Sequence, residues 1–257
     1  MEIPRKPLPT RVDQTPDLPP VYEAALARGL DALGLRLTAD ARSAIDGHVR
    51  LLLAWTQAIN LTAIREPGAV ALGHVVDSLT ALPLLRQRGI DRFVDLGSGG
   101  GYPGLPLAAA LPAARALLAE PIGKKAGFLG TVIEAVGLQG AAQAAAVRAE
   151  ALAADTRHRG RWPAVTARAV AGLADLVELA FPLLAPGGIL VAWKRGDLTT
   201  ELAAANRAVT ALGGGRLEVE PVHVPGLEDH RLVVATAGGR VPGAYPRDPG
   251  ARKRRPW

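Results

Sequence analysis

The sequence predicts an α/β protein: a mostly parallel sheet with helices on its faces, an antiparallel hairpin at one edge and a small helical region in front. Three observations predict it. From Phe93 onward, short apolar runs alternate with helical stretches, which implies parallel strands joined by crossovers. The last two apolar runs are separated only by Pro225 to Asp229, too few residues for a helical crossover, so they pair as a hairpin. Before Phe93 the apolar residues recur at helical spacing.

Taken in order, residues 1 to 20 are rich in proline and read as a disordered tail. Tyr22 to Leu33 and Thr38 to Trp55 read as helices, with Gly34 closing the first and Thr38 as N-cap of the second. His74 to Leu85 reads as a third. The parallel strands are Arg92 to Leu96, Arg115 to Ala119, Ala142 to Val147, Ala164 to Ala167 and Ile189 to Trp193, with a helix over Leu105 to Leu111 after the first. Arg216 to Val224 and His230 to Ala237 form the hairpin. The division is therefore a tail over 1–20, a helical region over 21–90, the sheet domain over 91–238 and a second tail over 239–257.

At 257 residues the chain holds one large α/β domain plus a smaller helical piece. It has no cysteine, so neither a disulfide nor a thiolate metal site is expected, in keeping with a reducing cytoplasm. The start is polar and Pro-rich, with no visible signal peptide, and the uncharged run Leu96 to Ala114 is broken by three prolines and five glycines. A soluble protein with no membrane partner is expected. Of the net charge of +6, the segment Gly239 to Trp257 carries +5, because six cations face Asp248 alone. Residues 1 to 20 balance at zero, leaving +1 for the body. A mobile basic end suits a polyanion such as RNA, with Arg252, Lys253, Arg254 and Arg255 as contacts.

The chemistry concentrates in Phe93 to Gly104, where a strand ending near Asp95 runs into a cluster of glycines. Glycine permits positive φ and close ligand approach, so Gly97, Gly99 and Gly101 are read as a tight turn with outward N–H groups, followed by a helix N-terminus. A pyrophosphate-binding loop would not place a carboxylate two residues before its first glycine. S-adenosylmethionine (SAM) carries no phosphate and has cationic groups that Asp95 favours, so SAM is preferred to a dinucleotide. Glu120, at the end of the second strand, is placed to accept hydrogen bonds from both ribose hydroxyls. Five parallel strands plus a hairpin are the layout expected of the SAM-dependent methyltransferase (Rossmann-like) fold.

Asn60-Leu61-Thr62, His74-Val75-Val76-Asp77-Ser78-Leu79, Asp95 to Gly104, Lys124-Lys125, Arg168-Ala169 and Lys194 together resemble the RsmG (GidB) family, over roughly Thr38 to Ala237. The closing Tyr245-Pro246-Arg247 and the basic end also resemble some members. The resemblance implies a bacterial methyltransferase acting on N7 of one guanine in 16S ribosomal RNA, alone or in the 30S subunit, and a monomer or weak oligomer in the cytoplasm is expected. It implies cofactor contacts at Gly97, Tyr102, Ala149, Glu150 and Arg168. The sequence departs from the family in Ala167, where members often have Ser, and in Arg195, where many have Gly.

Methylation at pyrimidine C5 needs a cysteine nucleophile and radical SAM chemistry needs cysteine-ligated iron and sulfur, so both are excluded. Exocyclic amine methylation usually employs an Asn/Asp-Pro-Pro-aromatic turn, where this chain reads Thr166-Ala167-Arg168-Ala169. Guanine N7 has no proton to lose, so positioning suffices and no general base is expected. Arg168 and Lys194 fall at the carboxyl edge of the sheet, where open α/β sheets bind ligands. His74, Asp77 and Ser78 share part of a helical face and are candidates for the cavity mouth. Asn60 is read as a turn residue or a substrate contact, and Lys124 and Lys125 as RNA contacts or solvated cations. Two other classes remain open: an RNA-binding assembly factor on a methyltransferase fold, and a SAM enzyme with a non-RNA substrate.

Overall fold

The computed structural model describes residues 7–257. Helices α1 (Pro20–Ala32) and α2 (Ala39–Trp55) come first, and the Thr38 hydroxyl caps α2 by accepting from the Ala41 N–H at 3.2 Å. A helical run then extends from Pro67 to Gln87 as α3 (Pro67–Val70), a π-helical segment (Ala71–Val76), α4 (Asp77–Leu79) and α5 (Leu82–Gln87). The third helix predicted over His74 to Leu85 is thus the middle of a longer, interrupted run. The wider π turn leaves carbonyls such as that of Gly73 open to partners from outside the helix.

The sheet alternates as expected: β1 (Arg92–Leu96), α6 (Gly104–Ala110), β2 (Arg115–Ala119), α7 (Gly123–Ala135), β3 (Ala142–Ala145), α8 (Ala149–Ala154), β4 (Trp162–Arg168), α9 (Leu173–Ala180), β5 (Leu184–Arg195), α10 (Thr199–Ala211), β6 (Gly215–Pro221) and β7 (His230–Ala237). Strand order is β3-β2-β1-β4-β5-β7-β6; the first five strands are parallel, and β7 runs antiparallel to both β5 and β6. Side chains alternate across the pleat. Phe93, Leu118, Ile189, Trp193 and Leu232 pack against the helical region, while Val94, Val165, Leu190, Val233 and Ala235 pack against α8, α9 and α10. The helical region expected over 21–90 therefore shares one continuous core with the sheet. The run Pro67–Gln87 is long and apolar enough to cross a membrane, yet two-thirds of its apolar window is buried here as core.

Both expected tails are corrected where they are described. Residues 7–19 lie on α2: the Trp55 indole donates to the Pro9 carbonyl at 2.7 Å, Arg50 donates to the Thr15 hydroxyl at 3.1 Å, and Val12 and Leu18 pack on the core. Prolines stiffen such a segment and so lower the entropy lost on laying it down. Residues 1–6 of that expected tail lie outside the described residues. At the other end, Asp248 caps α11 (Pro249–Arg254), and the segment is fastened to Glu178 of α9. The Glu178 carboxylate is buried with its side chain at 0% exposure, and it accepts from the Arg247 guanidinium at 2.6 Å and from the Trp257 indole at 2.7 Å. A buried carboxylate requires such partners, and net charge alone gave no sign of it.

Candidate active site

The glycine loop between β1 and α6 adopts the turn that its composition predicts. Gly97, Gly99 and Gly101 have φ of +66°, +54° and +95°. The Gly99 N–H donates to one Glu120 oxygen and the Ile122 N–H to the other, both at 2.9 Å, which anchors the carboxylate beside the loop and leaves lone pairs for a diol. A Cβ at Gly99 would make only an ordinary contact with the Gly97 carbonyl at 3.7 Å, so this face of the loop is uncrowded. On the inner side, Gly100 comes so close to the Leu61 carbonyl and the Leu52 side chain that a Cβ would crowd both. That contact sets Asn60-Leu61-Thr62 against the loop. Open left-handed backbone, an acidic group at the end of β2 and a water-excluding floor fit SAM.

Asp95 does not face that ligand space, which corrects the electrostatic argument made from its position. Its side chain is fully buried under the loop, accepting from the Thr166 hydroxyl at 2.7 Å and from the Gly104 N–H at 3.3 Å. Burial pushes its carboxyl up to about 6. Its task is to tie the loop to β4 and α6. The loop is held from the other side by His48 of α2, whose Nε2 donates to the Gly100 carbonyl at 2.7 Å. A carbonyl only accepts, so this imidazole is the neutral Nε2–H tautomer, and burial holds it down to about 4. Tyr102 is wedged between the rings of His48 and His74 at 4.5 and 4.7 Å, under the Arg168 guanidinium.

Arg168 is the centre of the second half of the site. It donates to Asp77 at 2.8 Å and to the Gly73 carbonyl at 3.1 Å, and it lies 3.2 Å from His74 Nδ1. Nδ1 of His74 also lies 3.1 Å from the Gly73 carbonyl, and its Nε2 is hydrogen-bonded to the Thr62 hydroxyl at 2.6 Å. Burial, then the neighbouring Arg168 cation, holds that imidazole down to about 4. Asp77 is buried, and burial alone would raise its carboxyl. Hydrogen bonds from His230 (2.7 Å) and Arg168 outweigh that and keep it below the usual carboxylate range. The Trp193 indole holds the Asp77 carbonyl at 2.7 Å. Immediately after Arg168, Ala169 takes a left-handed φ of +56°, a conformation that costs a non-glycine residue about 1 kcal/mol.

A cavity of about 530 Å³ opens beside this cluster, lined among others by Asp77, Arg168, Trp193, Lys194, Glu201 and His230. Lys194 keeps its place in it despite Arg195: its ammonium donates to the Ala171 carbonyl at 3.1 Å and pairs with Glu201 at 2.9 Å. Ser78 does not reach the cavity. It is fully buried, and its hydroxyl turns back to the His74 carbonyl at 2.5 Å, one turn earlier in the same helical run. Sequence reasoning missed His48, Trp193, His230 and Glu201. The register of β7 against β5 could have found one of them, since His230 lies opposite Arg195 and hence at the edge that Lys194 occupies.

The remaining expected residues are more dispersed. Ala149 opens α8 and is partly buried, and Glu150 beside it is paired with Arg252 from the C-terminal segment. Lys124 and Lys125 sit in the first turn of α7, the former exposed and the latter half-buried, while Asn60 is exposed. Lys253, Arg254 and Arg255 are exposed on and after α11. Among the described residues, no three His, Asp or Glu side chains gather as a metal site.

Solved structures confirm the fold. An O-methyltransferase from Bacillus cereus, crystallised with S-adenosylhomocysteine (SAH), matches with a TM-score of 0.58 at 15% identity, over 84% of this chain and 99% of its own. Sequence relatives go further. Ribosomal RNA small subunit methyltransferase G of Rubrobacter xylanophilus is 42% identical over 236 residues, which is 90% of each chain. The protein of the same name from Chloroflexus aggregans is 40% identical over 234 residues, 91% of this chain and 98% of its own. Residues 42–232, which hold the glycine loop, Arg168, Lys194 and His230, match the family description rRNA small subunit methyltransferase G, and the chain belongs to that family, GidB.

Proposed function

We propose that this protein transfers a methyl group from SAM to N7 of a guanine in 16S ribosomal RNA, with the base held between Arg168 and Lys194 at the carboxyl edge of β4 and β5. The observation that carries this reading is the anchoring of Arg168: Asp77, the Gly73 carbonyl and the rings of His74 and Tyr102 fix one guanidinium at the rim of the cavity. Bound at the glycine loop, SAM supplies an electrophilic methyl on a sulfonium sulfur. Guanine N7 brings an in-plane lone pair and no proton. The residues therefore have to orient and desolvate, and their state agrees with that task. Both ring nitrogens of His74 are engaged by the protein, and both Asp77 oxygens are occupied by donors. Neither is poised as a general base.

In this reading His74 and Asp77 position Arg168, and Ser78 serves only the helix. Glu120 accepts from the ribose, and Ala149 and Glu150 border the adenine. Asn60, Lys124, Lys125 and the cations Lys253, Arg254 and Arg255 meet RNA phosphates, while Arg252 is tied to Glu150. The substrate is the 30S particle, met in the cytoplasm by a monomer. The test is single-turnover methylation of 30S subunits by Lys194→Ala and Arg168→Lys, with the methylated atom mapped in the product. Lost positioning is worth on the order of 10²-fold in rate, with calorimetric SAM affinity of Lys194→Ala within a few-fold of wild type. Wild-type rates in both variants, or a methyl at another atom, would overturn the reading.

A further inference from the structure

The cavity contains three carboxylates, and two are committed to the protein. Asp77 is saturated by His230 and Arg168. Asp197 accepts from the N–H and the hydroxyl of Thr199 at 2.9 and 2.6 Å, both through Oδ1, and is held at the start of α10. Glu201, in the first turn of α10, is different. Its side chain is 41% exposed, and one oxygen rests 2.9 Å from the Lys194 ammonium. Neither oxygen accepts a hydrogen bond among the described residues, and the one beside Lys194, Oε2, is buried without a donor.

A carboxylate at the mouth of an RNA-binding cavity repels the phosphate backbone. What it attracts in a nucleic acid is an N–H edge. Guanine alone among the four bases presents two adjacent donors, N1–H and the N2 amine, next to an acceptor, O6. The Lys194–Glu201 pair presents the complement in the same order: an ammonium donor, then two carboxylate acceptors. From these contacts we infer that Glu201 is the specificity-determining residue for guanine, accepting N1–H and N2–H while Lys194 donates to O6. Charge-assisted bidentate pairing of this kind is both strong and planar. It leaves N7, on the opposite side of O6 from N1, free to face the methyl group. Adenine and cytosine would bring a lone pair, and uracil a carbonyl, against the carboxylate. The inference rests on the guanine-N7 reading above.

A substrate-by-enzyme cycle tests it. Reconstituted 30S particles would carry either guanosine or inosine, which lacks only the N2 amine, at the nucleotide that the wild type methylates. Single-turnover N7 methylation would be measured for wild type, Glu201→Gln and Glu201→Ala. Wild type should prefer guanosine by about 10- to 100-fold, the range of one charge-assisted hydrogen bond. The preference should shrink in Glu201→Gln and approach one in Glu201→Ala. An unchanged guanosine preference in Glu201→Ala would reduce this residue to a partner of Lys194 and overturn the inference, as would equal wild-type rates on the two substrates. A wild-type product lacking N7 methylation altogether would instead overturn the function on which the inference rests.

Discussion

His48 and His74 are both held neutral by burial, with folded values near 4 against an ordinary 6.5. As pH falls from 6.5 to 4 the unfolded chain takes up protons that these folded imidazoles refuse, so stability drops by about 3 kcal/mol for each. Asp95 acts in the opposite direction. Its folded value near 6 against 3.8 means that the folded state binds the proton first, returning about 3 kcal/mol as pH falls from 6 to 3.8. Two imidazoles outweigh one carboxyl, so among these three groups acidification is a net loss. Glutamine at position 48 can keep the donor to the Gly100 carbonyl and cannot titrate. For His48→Gln, the difference in unfolding free energy between pH 7.5 and 4.5, measured by urea denaturation, should be smaller than in wild type by about 2 to 3 kcal/mol. Identical differences would show that the imidazole is not held neutral.

At the level of elements, the glycine loop makes the sharpest prediction. Valine at Gly99 would be forced to a φ of +54° with its branch on the uncrowded face of the loop, where the proposed function puts SAM. Calorimetry on Gly99→Val should show SAM binding lost or weakened at least tenfold, and unchanged affinity would remove the loop from the cofactor site. The same loop shows what was legible in advance. Arg92–Leu96, Arg115–Ala119 and His230–Ala237 have the strand bounds read from the sequence, because apolar runs flanked by turn residues are a local signal. β5 is longer than expected because it starts at Leu184, before Pro186 and two glycines, and crosses a register irregularity opposite Trp162. Arg168 and Lys194 were legible because strand ends in such sheets hold ligands. The partners that give them meaning were not: His230 meets Asp77 across 153 positions, and Arg247 meets Glu178 across 69. No local pattern encodes such pairs. Asp95 was found for a reason that its burial overturns.

Taken whole, the molecule presents its C-terminal cations on a fastened segment. Glu178, Arg247 and Trp257 form the clasp, and Arg252 adds a tie to Glu150 at the start of α8. Lys253, Arg254 and Arg255 are left facing solvent. Replacing these three by Gln should leave the clasp closed and SAM affinity unchanged while flattening the log-log salt dependence of RNA binding by about 2 to 3. Nitrocellulose retention across a salt series reads that slope, and an unaltered slope would assign the cations to solubility. Glu178→Gln should act differently, loosening the segment and lowering the melting temperature, because Arg247 would lose a fully buried partner.

The bond from His48 to the Gly100 carbonyl joins two parts of the chain that the sequence presents as separate regions. Peeling α2 away breaks this bond and removes one of the loop's anchors. Any ligand that favours the ordered loop therefore opposes the opening of α2 by RT ln(1 + [L]/Kd). Occupancy of the glycine loop is thereby written into the deuterium uptake of helix amides that never touch the ligand.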